Sequence, residues 1–401
     1  MRRAREHIPR PLHCPIALIG GLWYAVAMNT EQRILCLAAR TALEPIVERQ
    51  LVELLREPID WERLWAQGQL HEVLPLLTVT LRRLAAQAPI PAPWLARAQR
   101  RYYATMLRNT ALADELLRVL AAFRQAGVAA LPVKGLVLAE TLYGSLALRP
   151  LGDLDVLVRP ADLPRARAAL GALGFAQADE PGYENAYHPY HDPPYYRRAA
   201  GGPICLELHW GLWASHFFQL ETDALWRRAA PAQLHGAALS ILSPEDTLLH
   251  LAIHRSRSAL RLRFVCDVAE LLRRYRATLD WDYLLAQTQA AGARTTMFYT
   301  LALAADLLEA PVPDGLLARL HISRLKRRLL DHTCGANALF RPTDPDDLSQ
   351  QPHLILRIFE QDGAGHILLA LVASLARTAR KNMYRYRRAR RPGGSGDPTP
   401  E

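Results

Sequence analysis

The chain has 401 residues, half of them hydrophobic, which is enough for two or three domains with their own apolar cores. Its net charge of +10 sits at the two ends, +3 over residues 1–10 and +8 over residues 377–391, so the body is near neutral and is not a basic nucleic-acid cradle. The five cysteines (Cys14, Cys36, Cys205, Cys266 and Cys334) form no CxxC pair and read as small buried hydrophobes in a reducing compartment.

The start of the chain admits two readings. Residues 1–10 and the apolar stretch from Pro15 to Met28, with Ala25-Val26-Ala27 near its end, have the outline of a secretory signal peptide. The other reading begins the protein at Met28. The second reading is favoured, so residues 1–30 are taken as an N-terminal extension and the location as cytoplasmic. No apolar run reaches the ~18–20 residues that cross a bilayer.

Residues 31–127 read as a helical region, with apolar residues at three- and four-residue spacing in EQRILCLAARTAL and PIVERQLVELLREP. DWERLWAQGQLHEVLPLLTVTLRRLAAQ continues the period, with Asp60 as a cap. After Pro89, Pro91 and Pro93 a long helix runs to Gly127. No catalytic constellation stands out in this region.

Residues 128–242 change character. VAALPVKG reads as a buried strand ending in a Lys-Gly turn, LVLAETLYG as about two helical turns, and DLDVLVRP as an alternating strand stopped by Pro160. LPRARAALGALGF is a helix for which Asp162 is the expected cap, and residues 179–198 are loop-like. ICLELHW then alternates, placing Leu206, Leu208 and Trp210 on one face and Glu207 and His209 on the other. Residues 243–340 return to helix, with Ser243 capping SPEDTLLHLAIHRSRS and one helical period through residues 262–292. Residues 341–401 comprise a polar loop, a basic amphipathic helix and a Gly/Pro-rich end.

Four features carry chemistry. Asp153 and Asp155, at i and i+2 on a strand, share a face, and their oxygens can converge on one or two magnesium ions. Glu207 on a later strand is either a third metal ligand, with His209 beside it, or part of the wet face of a sheet. Lys134-Gly135 sits where a strand turns into a helix. It is either a phosphate-binding turn, with glycine permitting close approach, or an ordinary turn with a solvated lysine. The lysine is notable because the chain has three lysines against 46 arginines. Arg149, four residues before Asp153, can clamp phosphate or neutralise the acids. Gly144-Ser145 is a further phosphate-loop candidate, and His254, Arg263 and Asp267 can reach a nucleotide from the C-terminal helices or serve the core. His188 and His191 lie in the Tyr-rich loop, and His250 with His254 lacks the HExxH order of a zinc protease.

LPVKG, LYGSLALRPLGDLDVLV and ICLELHW together resemble the bacterial uncharacterised nucleotidyltransferase family of the polymerase-beta-like superfamily, over roughly residues 30–340. The resemblance implies an α+β fold: a small mixed-sheet core flanked by N- and C-terminal helical regions, mostly helical overall. It implies Asp153, Asp155 and Glu207 as the metal triad and Lys134-Gly135 as the nucleotide turn. The superfamily's first motif is usually Gly-Gly or Gly-Ser, so Lys-Gly departs from it.

The expected activity is transfer of a nucleoside monophosphate from an NTP such as ATP to an acceptor hydroxyl, with Mg2+ or Mn2+ as cofactor and pyrophosphate released. The acceptor (small molecule, RNA or protein) and the oligomeric state stay open. So do two other readings: a catalytically silent nucleotide-binding or scaffold relative, and a protein that meets nucleic acid or an anionic membrane through its basic tail.

Overall fold

The computed structural model describes residues 28–178, 190–199, 201–212, 218, 221–255, 261–335, 339–340, 362 and 367. The N-terminal extension before residue 28, the segment 179–189 with His188, and the basic tail 377–391 lie outside the described residues. Among the described residues no helix is long and apolar enough to cross a membrane.

Five helices open the chain: α1 (Thr30–Ala38), α2 (Pro45–Leu54), α3 (Trp61–Leu70), α4 (Leu74–Leu84) and α5 (Ala92–Gln125). Asn29 and Gln32 form a reciprocal capping box on α1, and Asp60 caps α3 by accepting from Arg63 N at 2.9 Å. The run read as continuous from Asp60 to Gln87 breaks after Leu70. Glu72 adopts φ 59°, and Val73 N bonds back to the Gly68 carbonyl at 3.0 Å. A Cβ at Gly68 would stand 2.8 Å from Leu74 Cδ2, so a larger residue there would require the Leu74 side chain to shift.

The α/β region follows: β1 (Ala130–Val133), α6 (Gly135–Thr141), β2 (Leu154–Val158), α7 (Leu163–Ala172), β3 (Ala176–Gln177), β4 (Tyr195–Arg197) and β5 (Ile204–His209). Asp162 makes no capping bond on α7; its carboxylate pairs instead with Arg165. The sheet order is β1-β2-β5-β4-β3, with β2 and β5 parallel and the other neighbours antiparallel, a mixed sheet as expected. One face (Leu154, Val156, Leu206, Leu208) packs with Leu116 and Phe123 of α5 and Leu170 of α7. Residues of the other face include Asp155, Leu157 and His209, and Leu157 joins a larger core with Leu131, Val133 and Tyr143. After α8 (Thr222–Arg228) comes a hairpin that sequence reading missed, β6 (Ala230–Leu234) and β7 (Ala237–Ile241). Its His235-Gly236 turn has positive φ at both positions, 48° and 79°, as a type I′ turn requires.

The C-terminal helices are α9 (Pro244–Arg255), α10 (Leu262–Tyr275), α11 (Trp281–Ala290), α12 (Arg294–Leu308), α13 (Leu316–Arg319) and α14 (Arg324–Cys334). The period read straight through residues 262–292 is interrupted at Asp280, which caps α11 through Tyr283 N at 2.9 Å. These helices and α1–α4 share one continuous apolar core containing Ile34, Leu77, Val265 and Leu301. Polar bonds cross it: Thr41 Oγ1 donates to Glu270 at 2.5 Å, and Cys266 donates to the Ala39 carbonyl at 3.3 Å.

His71 belongs to the same seam. Its Nδ1 accepts Leu262 N at 3.4 Å, and its ring meets Phe340 edge-on at 5.1 Å. Burial, with the nearby Arg261 charge, pushes this imidazole down to about 4 from 6.5. On acidification the unfolded chain takes up this proton near 6.5 while the folded chain resists until about 4. His71 therefore contributes a stability loss as pH falls through that window, of about 3 kcal/mol in total. Urea unfolding at pH 7 and pH 4.5 should show a smaller acid loss in His71→Asn than in the parent; equal losses would exclude His71 as the cause.

Candidate active site

The site is built where β2 and β5 run side by side. Their parallel register sets Asp155 opposite Glu207 and Leu157 opposite His209, so strand alternation delivers these polar side chains to one face. His209 Nε2 lies 2.9 Å from Asp155 Oδ1 and 3.3 Å from Glu207 Oε2. Ligating atoms of Asp155, Glu207 and His209 all fall within 4.8 Å of one another. Asp153 immediately precedes β2 and is half-buried.

Lys134 reaches the same centre from the β1–α6 turn, its Nζ 3.0 Å from Asp155 Oδ1. Its backbone is held at φ 52°, ψ −131°, a region that side chains seldom occupy. Gly135, the partner in the expected nucleotide turn, has no positive φ, and a Cβ there would meet the Asp153 carbonyl and Leu151 at an ordinary 3.7 Å. The conformational demand of the turn thus falls on the lysine rather than on the glycine.

The electrostatics follow from this crowding. Asp153 is pushed up to about 6, chiefly by the charge of Asp155, then by burial and by Glu207. For Asp155 burial acts upward, but the Lys134 ammonium and the His209 bond outweigh it and hold the carboxyl well below the usual range. Glu207 is likewise lowered: burial opposes ionisation, and the His209 hydrogen bond overcomes it. Burial would lower His209, yet its bonds to Asp155 and Glu207 raise it; Lys134 is raised in the same way, against burial, by Asp155, Glu207 and Asp153. Three carboxyls facing one histidine and one lysine favour a further cation.

The remaining candidates are engaged in other contacts. Arg149, read as a phosphate clamp, is only 3% exposed, and its guanidinium forks onto Asp267 with two 2.8 Å bonds. Tyr143 donates to the same Asp267 at 2.7 Å, so Arg149 and Asp267 tie the sheet region to α10. Gly144 and Ser145 follow the C-terminal end of α6, away from its free N–H groups, with Ser145 Oγ accepting Ala147 N at 3.2 Å. His254 packs against the Phe264 ring at 5.4 Å. His191, in the loop-like stretch, bridges to His209 in the sheet, the two rings 5.0 Å apart.

Beside Asp153 opens a cleft of about 450 Å³ that reading the sequence did not anticipate. Its walls come from the α3–α4 turn (Gly68, Glu72), from α5 (Arg101), and from Arg261 and Arg263 at the start of α10. Arg263 pairs with Glu72 at 2.7 Å. The local signal, three arginines whose first and last members stand 162 positions apart, has no sequence proximity by which to find it.

No curated protein matches the chain in sequence. Two solved structures share 13% identity with it. The solution structure of the antibiotic-resistance factor ANT(2'')-Ia aligns over 45% of this chain and 91% of its own, with a TM-score of 0.32. The crystal structure of an antigenic nucleotidyltransferase-like protein from Paracoccidioides brasiliensis aligns over 50% and 94%, with a TM-score of 0.29. A sequence model described as "Uncharacterised nucleotidyltransferase" matches residues 57–309, which take in α3 to α12, the whole mixed sheet and the acidic face. The chain belongs to this uncharacterised nucleotidyltransferase family.

Proposed function

We propose that the protein transfers a nucleoside monophosphate from an NTP to an acceptor hydroxyl in a metal-dependent reaction that releases pyrophosphate. The observation that carries this reading is the convergence of Asp155, Glu207 and His209 within 4.8 Å, with Asp153 alongside and its carboxyl raised by the charges of Asp155 and Glu207 and by burial. The carboxylate oxygens gathered here fit a hard divalent cation such as Mg2+ or Mn2+. Asp153, Asp155 and Glu207 would hold the ion or ions. A bound divalent cation would neutralise charge developing on the transferred phosphate and make the acceptor hydroxyl easier to deprotonate.

The protein's own groups do the rest. Lys134 keeps Asp155 ionised and fixes its carboxylate, so the ligand is set in place before substrate arrives. His209, bonded to Asp155 and Glu207 together, locks the spacing between β2 and β5 side chains. Glu207, the more exposed member of this trio, would help hold the ion that activates the acceptor hydroxyl. The Lys134-Gly135 turn orients the nucleotide.

The test is incubation of the protein with Mg2+ or Mn2+, α-32P-labelled NTPs and fractionated cell extract. Labelled acceptor and stoichiometric pyrophosphate are expected. NTP binding by calorimetry with no label transferred in any fraction would instead establish a catalytically silent relative.

A further inference from the structure

The cations close to the acidic face do not match what an NTP brings. Lys134 is already committed to Asp155 at 3.0 Å, and Arg149 is buried against Asp267. A triphosphate bound beside Asp153 stays anionic even with a divalent ion on it, and therefore needs further counter-charge from elsewhere. The cleft next to Asp153 offers it. Arg101 projects from α5 exposed, and no ion-pair partner for it occurs among the described residues. Arg261 donates to the Leu70 carbonyl, which anchors it on the α3–α4 turn. Arg263 faces the cleft in its pair with Glu72, and its backbone N–H bonds the His71 carbonyl at 3.2 Å. The wall is thus a built one, stitched together by backbone and side-chain bonds. Its volume of about 450 Å³ falls within the range of small-molecule sites.

We propose that this cleft takes the polyphosphate chain of the nucleoside triphosphate, and that Arg101, Arg261 and Arg263, all from the helical segments, supply its counter-charge. The proposal rests on the nucleotidyl-transfer reading and gives the helices before the sheet a place in the site: α3, α4 and α5 form part of the substrate cleft. Gly135 stands on the same side, since the nearest atoms to its position belong to Leu151 and Asp153, which line the cleft floor. An entering phosphate competes with Glu72 for Arg263, so Glu72 acts as the resting partner of that guanidinium.

The experiment uses inorganic tripolyphosphate and NTP as probes on the full chain with Mg2+ present. Arg101→Glu is the main variant because Arg101 is exposed and bonds nothing that the fold needs; Arg101→Lys is its conservative counterpart. Tripolyphosphate affinity should fall about tenfold or more in Arg101→Glu, with Arg101→Lys recovering most of it and circular dichroism unchanged. In the transfer assay KM for NTP should rise with kcat nearly unaltered. Unchanged tripolyphosphate binding in Arg101→Glu would overturn the proposal even where transfer activity is found. A rise in KM for the acceptor alone would also overturn it, by making the cleft the acceptor's. Arginine-dependent tripolyphosphate binding without transfer to any acceptor would uphold the cleft while the activity itself failed.

Discussion

Asp155→Asn is expected to lower nucleotidyl transfer by about three orders of magnitude while the protein stays folded. Asp155 is the centre of the polar face: Lys134 and His209 both engage its Oδ1, and its charge is the largest influence on Asp153. Asparagine keeps the shape and removes the charge. Lys134 and His209 then lose their common anion, and Asp153 loses the neighbour that raises it, so its carboxyl returns from about 6 toward an ordinary value. The two effects on stability oppose each other, whereas both the loss of a ligand charge and the loosened lysine act against catalysis. Label transfer together with Mn2+ titration calorimetry checks this. Activity within tenfold of the parent would remove Asp155 from the mechanism.

The largest stability effect is expected at Arg149. Asp267 is fully buried, and its two oxygens are held by Arg149 and by Tyr143. Arg149→Met leaves that buried carboxylate without its hydrogen-bonded counter-charge, which costs about 3–5 kcal/mol. The paired replacement Arg149→Met with Asp267→Leu removes both charges and should recover most of the loss, because a buried ion pair is worth little against well-packed apolar groups. Urea unfolding of the single and double variants measures both. KM for NTP separates this role from the one suggested by sequence. A folded Arg149→Met with near-normal stability and a strongly raised KM would restore Arg149 as a phosphate ligand.

The acidic face was legible because strands alternate: Asp153 with Asp155, and Glu207 with His209, fall together whatever the strands pack against. The parallel pairing of β2 with β5, which makes these two pairs into one site, is a long-range event with no local mark. Arg149 shows the same limit from the other side. Its sequence neighbours are Asp153 and Asp155, yet its partner is Asp267, 118 positions away. The breaks at Glu72 and Asp280 were missed because the apolar period persists across both turns. The β6–β7 hairpin was missed because its signal is a two-residue His-Gly turn between short strands. Placing Asp162 as a helix cap followed residue preference, and Arg165 outcompetes the backbone for that carboxylate.

The apolar core shared by α1–α4 and α9–α12 also governs the order in which the chain can mature. The sheet region is threaded between two halves of one helical body, so contacts such as Thr41 with Glu270 close loops of more than 200 residues. During synthesis the inner faces of α1 and α4 emerge first and wait, uncovered, until residues 262–308 leave the ribosome. Closing so long a loop is slow, and apolar surface exposed meanwhile invites association with other chains. A nascent chain that stops after β7 holds every carboxylate of the acidic face and still lacks the helices that cover its amino-terminal half.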